Sequence, residues 1–147
     1  VCSGVKSFLD VGKTAEALET FGITAVGYKT DCFPLFYTSN SDIKLQHCYK
    51  SAKKVAGLFK QNKEAKLSSS ILVLNPVPKK HEIPYQEMDS IISSSIVEME
   101  SMGITGKDTT PHLLKTIAQK TENKSLETNI RLALNNISLG AKIAQKI

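Results

Sequence analysis

The sequence predicts an α/β fold, with helix-rich layers around a mixed sheet, and three observations carry that reading. Two short apolar runs, Ile23 to Tyr28 and Ile71 to Leu74, are too short for helices and are bounded by polar or turn-forming residues, as buried strands are. Longer stretches around them repeat apolar residues at helical spacing. Val1-Cys2, running into Ser3-Gly4, reads as the end of a strand already under way, followed by a strand-to-helix turn. Three strands are few for so many helices. The sheet is therefore expected to be incomplete, with an N-terminal part preceding Val1 and residues 1–147 forming the C-terminal portion of a single domain.

Taken in order, Phe8, Val11, Ala15, Leu18 and Phe21 predict a helix from Val5 to Phe21, weakened at Gly12 and closed by Gly22. The strand from Ile23 to Tyr28 follows, and the segment from Asp31 to Asp42, with Pro34 and a Ser/Asn/Asp cluster, reads as loop. Ala52, Val55, Ala56 and Phe59 mark one face of a helix over about 49–64. Asn75-Pro76-Val77-Pro78 ends the strand at Ile71 to Leu74 abruptly, in the kind of loop that holds ligands at strand ends. The stripe Met88, Ile91, Ile92, Ile96, Met99 predicts a helix from Tyr85 to Met102. Thr110-Pro111 reads as an N-cap with proline at the first helical position, starting a helix that runs to about Lys120. Ser125 is read as the cap of a last helix that turns Leu126, Ile130, Ala133, Leu134, Ile137 and Ala141 inward.

The 41% apolar and 22% charged residues exclude a disordered chain, and no apolar run approaches the roughly 18 residues of a membrane span. With no signal-peptide pattern at Val1, the expected compartment is the cytoplasm. A net charge of +5 favours anionic ligands. Its densest group, Lys50, Lys53, Lys54, Lys60, Lys63 and Lys66, has helical spacing and no interleaved aromatics, so it reads as a solvated helix face and argues against nucleic-acid binding. Cys2, Cys32 and Cys48 are scattered and far from histidine ligand spacing, so they read as idle thiols.

Lys6, two residues beyond Gly4, stands where an α/β protein presents residues to the crevice at its sheet edge. Val5, Phe8 and Leu9 are apolar neighbours, and desolvation disfavours an ammonium, which would make a neutral, nucleophilic amine accessible. Position alone leaves a solvated surface lysine as the alternative. Asp10 is expected to act as a cap or on the helix side rather than as a partner of Lys6. His47, His81 and His112 are dispersed, with His81 read as an exposed loop residue, and Phe33 to Phe36 reads as packing.

The string VCSGVKSFLDVGKTAEALETFGITAVGYKTDCFPLFYT is similar to the pseudouridine-5'-phosphate glycosidase (indigoidine synthase A-like) family pattern. That pattern has a Cys-Ser/Ala-Gly-x-Lys turn, a Leu-Asp helix, a Leu-Glu-Thr-x-Gly end and a Phe-Pro-x-Phe loop. NPVPKKHE, GITGKDTTPHLL and SLETNIRLALNNISLGAKIAQ resemble further segments of the family in the same order. The resemblance covers nearly the whole chain and implies reversible cleavage of the bond between uracil and ribose 5-phosphate in pseudouridine 5'-phosphate. It places the catalytic lysine at Lys6 and a substrate-facing asparagine at Asn129, with Asn135 and Asn136 competing for that role. It also implies a general-acid glutamate and a manganese ion held by an aspartate, all upstream of Val1. A homotrimer and, in some members, a fused sugar kinase complete the implied assembly. The alternative reading is a non-catalytic fragment or paralogue of the same fold that binds a partner.

Overall fold

The computed structural model describes all residues, Val1–Ile147. Five helices surround a small sheet, in the order α1 (Val11–Thr20), β1 (Thr24–Tyr28), β2 (Cys48–Tyr49), α2 (Ala52–Glu64), β3 (Ile71–Leu74), α3 (Tyr85–Ser101), α4 (Thr109–Lys120) and α5 (Lys124–Ala144). The strand order is β2-β1-β3, and both pairings are parallel. Antiparallel pairing is confined to isolated bridges, such as Cys32 with Lys44. Cys2 adds a parallel bridge to Leu74 on the outer edge of β3. The sheet is incomplete beyond Cys2, and β2 is only two residues long, too short to carry any periodicity that sequence reading detects.

Two apolar clusters hold these elements. Val26 of β1 and Val73 of β3 pack with Val55 and Ala56 of α2 and with Leu139 and Ile143 of α5. Tyr37 and Ile83, from two connecting segments, pack with Met88, Ile92 and Met99 of α3 and Leu113 and Ile117 of α4. Each fully buried aliphatic chain contributes about 1.5–3 kcal/mol. The stripe that predicts α3 is thus the one the structure buries, while α5 joins the sheet's cluster through Leu139 and Ile143. The lysines of α2 are all exposed, as a solvated helix face should be.

Three helix readings are corrected. The first helix begins at Val11, not Val5, because the Asp10 side chain accepts from the Lys13 amide (2.9 Å) and so starts the helix one turn later. Helix α4 begins at Thr109, which puts Pro111 at its third position, still in the first turn where no intrahelical donor is lost. In α5, Ser125 is not a cap but a buried hydroxyl that accepts from Thr121 Oγ1 (3.0 Å), and Asn123, in the left-handed region, occupies the cap position. The inward face of α5 is formed by Ser125, Thr128, Leu132, Leu139 and Ile143. Leu126, Ile130, Ala133, Leu134, Ile137 and Ala141, expected inside, are all exposed.

Candidate functional site

Parallel strands end on one side, so the carboxyl ends of β3 and of the Cys2 strand lie together. The Cys2 amide donates to the Val73 carbonyl (2.9 Å), and the Asn75 amide donates to the Cys2 carbonyl (2.7 Å). Ser3 and Asn75 therefore emerge side by side, 2% and 5% exposed. Helix α5 reaches across to them through Asn136. Asn75 Nδ2 donates to Asn136 Oδ1 (3.0 Å), and Asn136 Nδ2 donates to Ser3 Oγ (3.1 Å). Asn135 Nδ2, next to it, donates to the Pro76 carbonyl (3.1 Å). Buried amides and hydroxyls left without partners are costly, and here each satisfies another.

The other side of the turn is clamped by the loop before Tyr37. The Phe36 amide donates to the Ser3 carbonyl (3.1 Å), Gly4 forms an antiparallel bridge with Leu35, and the Ser7 hydroxyl donates to the Leu35 carbonyl. Gly4 has φ +88°, and a Cβ there would overlap the Pro34 carbonyl. Only glycine accommodates both the left-handed backbone and that approach. The loop itself is anchored: Thr38 Oγ1 donates to the Ile83 carbonyl (2.9 Å), and Glu82 accepts from the Ser39 amide (2.8 Å) and hydroxyl (2.7 Å). Phe33 and Pro34 are fully buried and Leu35 and Phe36 half-buried, with Phe36 packed against the Tyr37 cluster, so the Phe-Pro-x-Phe stretch is packing. Burial pushes the Tyr37 phenol above its ordinary value, opposed in part by a hydrogen bond with Ser125.

Lys6 sits in the turn so clamped, half-buried, with the Leu9 amide bonded to its carbonyl (2.8 Å). Its Nζ lies 6.0 Å from the centroid of the Phe8 ring and has neither hydrogen-bond nor carboxylate partner. Asp10 is spent elsewhere: the Lys13 amide, as cap donor, is the main cause holding its carboxyl below the ordinary 3.8, and its ion-pair partner is Lys13 Nζ at 3.6 Å. A cavity of about 270 Å³ adjoins the turn, lined by Ser7, Leu9, Leu35 and residues of α3, but Lys6 is not among its walls.

Asn129 is half-buried on α5, and its side chain has no hydrogen-bond partner, whereas Asn135 and Asn136 are committed to the strand ends. His81 is half-buried rather than exposed, and its carbonyl accepts from Thr128 Oγ1 (2.8 Å). His47 is exposed, and His112 faces only Thr116 (3.4 Å). The three cysteines are free thiols. Asn75 is the member of this site that sequence reasoning did not single out. Its signal is an asparagine directly after a buried strand and before a proline, where a side-chain amide has no helix to cap.

The structure thus defines a parallel α/β protein with a lysine-bearing turn locked at the carboxyl edge of its sheet. Its class is sharpened by comparison with known proteins. The family model described as indigoidine synthase A-like protein matches residues 1–146, and the chain belongs to that family. It is 44% identical over 147 residues to a pseudouridine-5'-phosphate glycosidase of Fervidobacterium nodosum, covering 100% of this chain and 50% of that protein. A pseudouridine-5'-phosphate glycosidase of Staphylococcus aureus is 42% identical over 144 residues, covering 98% and 47%. The crystal structure of an indigoidine synthase A-like protein from Thermotoga maritima superposes with a TM-score of 0.85 at 36% identity, over 97% of this chain and 47% of that one. The chain spans about half the length of these relatives and corresponds to their C-terminal half.

No helix is long and apolar enough to cross a membrane. No three His, Cys, Asp or Glu side chains come together in a way that would hold a metal ion.

Proposed function

We propose that this chain supplies the nucleophile of a pseudouridine-5'-phosphate glycosidase, with Lys6 forming a covalent adduct to the ring-opened ribose. The observation that carries the reading is the turn itself. A lysine with no competing partner is fixed at the carboxyl edge of a parallel sheet, in a chain 44% identical to a protein of that name. A carbon-linked base offers no leaving oxygen or nitrogen lone pair to protonate, so the paired-carboxylate route of ordinary glycosidases has little purchase. The neutral Lys6 amine displaces the ring oxygen from the anomeric carbon, the C–N bond forming as the C–O bond breaks and the ring oxygen leaving as a hydroxyl with the proton the amine gives up, and the bound amine then supplies the missing electrons. As the carbon-carbon bond breaks, its electron pair stays with uracil, which takes up a proton at that carbon, and the lysine nitrogen lone pair forms the C=N bond of an iminium. Water then hydrolyses the iminium, releasing ribose 5-phosphate and returning the free amine. Run backwards, the same steps join the two.

The rest of the machinery is proposed to lie outside residues 1–147. That includes the acid that protonates uracil, a divalent metal such as manganese, and the contacts that complete a homotrimer. The cationic balance of the chain, +5, suits a phosphorylated small molecule, and Asn129, with an uncommitted amide, is the candidate to pair with a uracil edge. The test uses protein that joins this chain to the other half of the family's length. Incubation with ribose 5-phosphate and borohydride should leave a reduced adduct on the peptide containing Lys6, and Lys6→Ala should lose both adduct and turnover. An adduct confined to another lysine, or undiminished turnover in Lys6→Ala, overturns the proposal.

A further inference from the structure

Helix α5 is apolar on two opposite sides, and the fold described here uses one of them. Its buried side packs on the sheet through Leu139 and Ile143 and reaches the Tyr37 phenol through Ser125. The other carries Leu126, Ile130, Leu134 and Ile137, which are 49, 53, 54 and 67% exposed. With Ala133 and Ala141 they form an uncharged stripe along the length of the helix. A helix apolar on both sides lies between two layers of a protein. The same chain shows what it places against water: α2 presents Lys53, Lys54, Lys60 and Lys63. At its C-terminal end the stripe runs into an apolar depression of about 200 Å³ lined by Val1, Phe59, Ile71, Gly140, Ala144 and Ile147. Contiguous exposed apolar surface of this kind marks a contact site.

We infer that this side of α5 is the seam onto which the other half of the family's polypeptide packs, rather than a contact between two copies of this chain. Two observations choose the occupant. The relatives carry an additional stretch about as long as this chain, and it precedes the part that corresponds to residues 1–147. Val1, the residue at which that stretch would join, is itself a wall of the depression and packs beside Gly140 of α5. The inference needs no chemistry at Lys6.

The test compares this chain alone with a fusion in which the N-terminal half of the Fervidobacterium nodosum relative precedes Val1. Ile137→Cys is introduced into both, in a Cys48→Ser background, and its rate of maleimide labelling is followed by peptide mass spectrometry. Labelling should be fast in the chain alone and slower by about ten-fold or more in the fusion, because the core of a packed seam excludes solvent. In parallel, position 137 of the fusion carries the photo-crosslinker p-benzoylphenylalanine, and irradiation should yield a cross-link within one polypeptide that maps to the added half. Equal labelling rates, protection already present in the chain alone, or cross-links joining two polypeptides would each overturn the inference. Failure to trap an adduct on Lys6 would leave it standing.

Discussion

Gly4→Ala is the perturbation that most directly tests how the lysine-bearing turn is held. At φ +88° an L-residue costs about 1–2 kcal/mol relative to glycine. The added methyl would also overlap the Pro34 carbonyl, so the loop must retreat. Retreat breaks the Phe36 to Ser3 hydrogen bond and the contact of Ser7 with Leu35, each worth about 1 kcal/mol. The total is about 3–4 kcal/mol, a large share of the roughly 5–15 kcal/mol that stabilises a typical domain. With a urea slope of about 2 kcal/mol/M, the midpoint should fall by about 1.5–2 M. Gly12→Ala is the internal control. Gly12 lies within α1 at negative φ, and its nearest neighbour, Asp10 Oδ1, would sit 3.4 Å from the new Cβ, so alanine should stabilise by about 0.5–1 kcal/mol. Urea unfolding followed by circular dichroism reads both. A Gly4→Ala midpoint indistinguishable from the parent, or an equal loss in Gly12→Ala, would refute the account of the turn.

Two further outcomes follow from the same region. Asn136→Ala removes the amide that joins α5 to both strand ends and strands Ser3 and Asn75 in a buried site, so it should cost about 2–3 kcal/mol by urea unfolding, whereas Asn129→Ala, which breaks no bond, should leave stability within about 0.5 kcal/mol. Asp10 titrates below 3.8 in the folded chain, so its capping contribution is fully present above the unfolded value and is lost as pH falls through the lowered folded one. Asp10→Ala should therefore melt at a lower temperature than the parent at pH 6, and the gap should narrow as pH falls below 3.8; a gap independent of pH would remove the cap from the explanation.

Much of this architecture is legible in the residues, and the exceptions have physical causes. Ile71–Leu74 is found to the residue because a short aliphatic run meets Asn-Pro, which stops a strand unambiguously. Helix α3 is found because its single stripe has one partner to meet. The pattern overextends α1 to Val5 because Phe8 fits the helical period by coincidence, while Asp10, a strong cap, sits inside it. In α5 periodicity marks two apolar sides equally well, and nothing local says which of them this chain covers. The position of Lys6, in a turn after a strand end, was legible from Ser3-Gly4. The Asn136 to Ser3 and Asn75 network was not, since it joins residues that only the folded topology brings together.

That network also orders events in time. The bond between Ser3 and Asn136 spans 133 positions, so a ribosome releases Lys6 long before the helix that steadies it. At about 5–20 residues per second the delay is on the order of ten seconds, far longer than hairpins or helices take to form. Until then the turn before Lys6 has only its nearer clamp, the loop at Leu35 and Phe36, and the Ser3 hydroxyl waits for the distant asparagine.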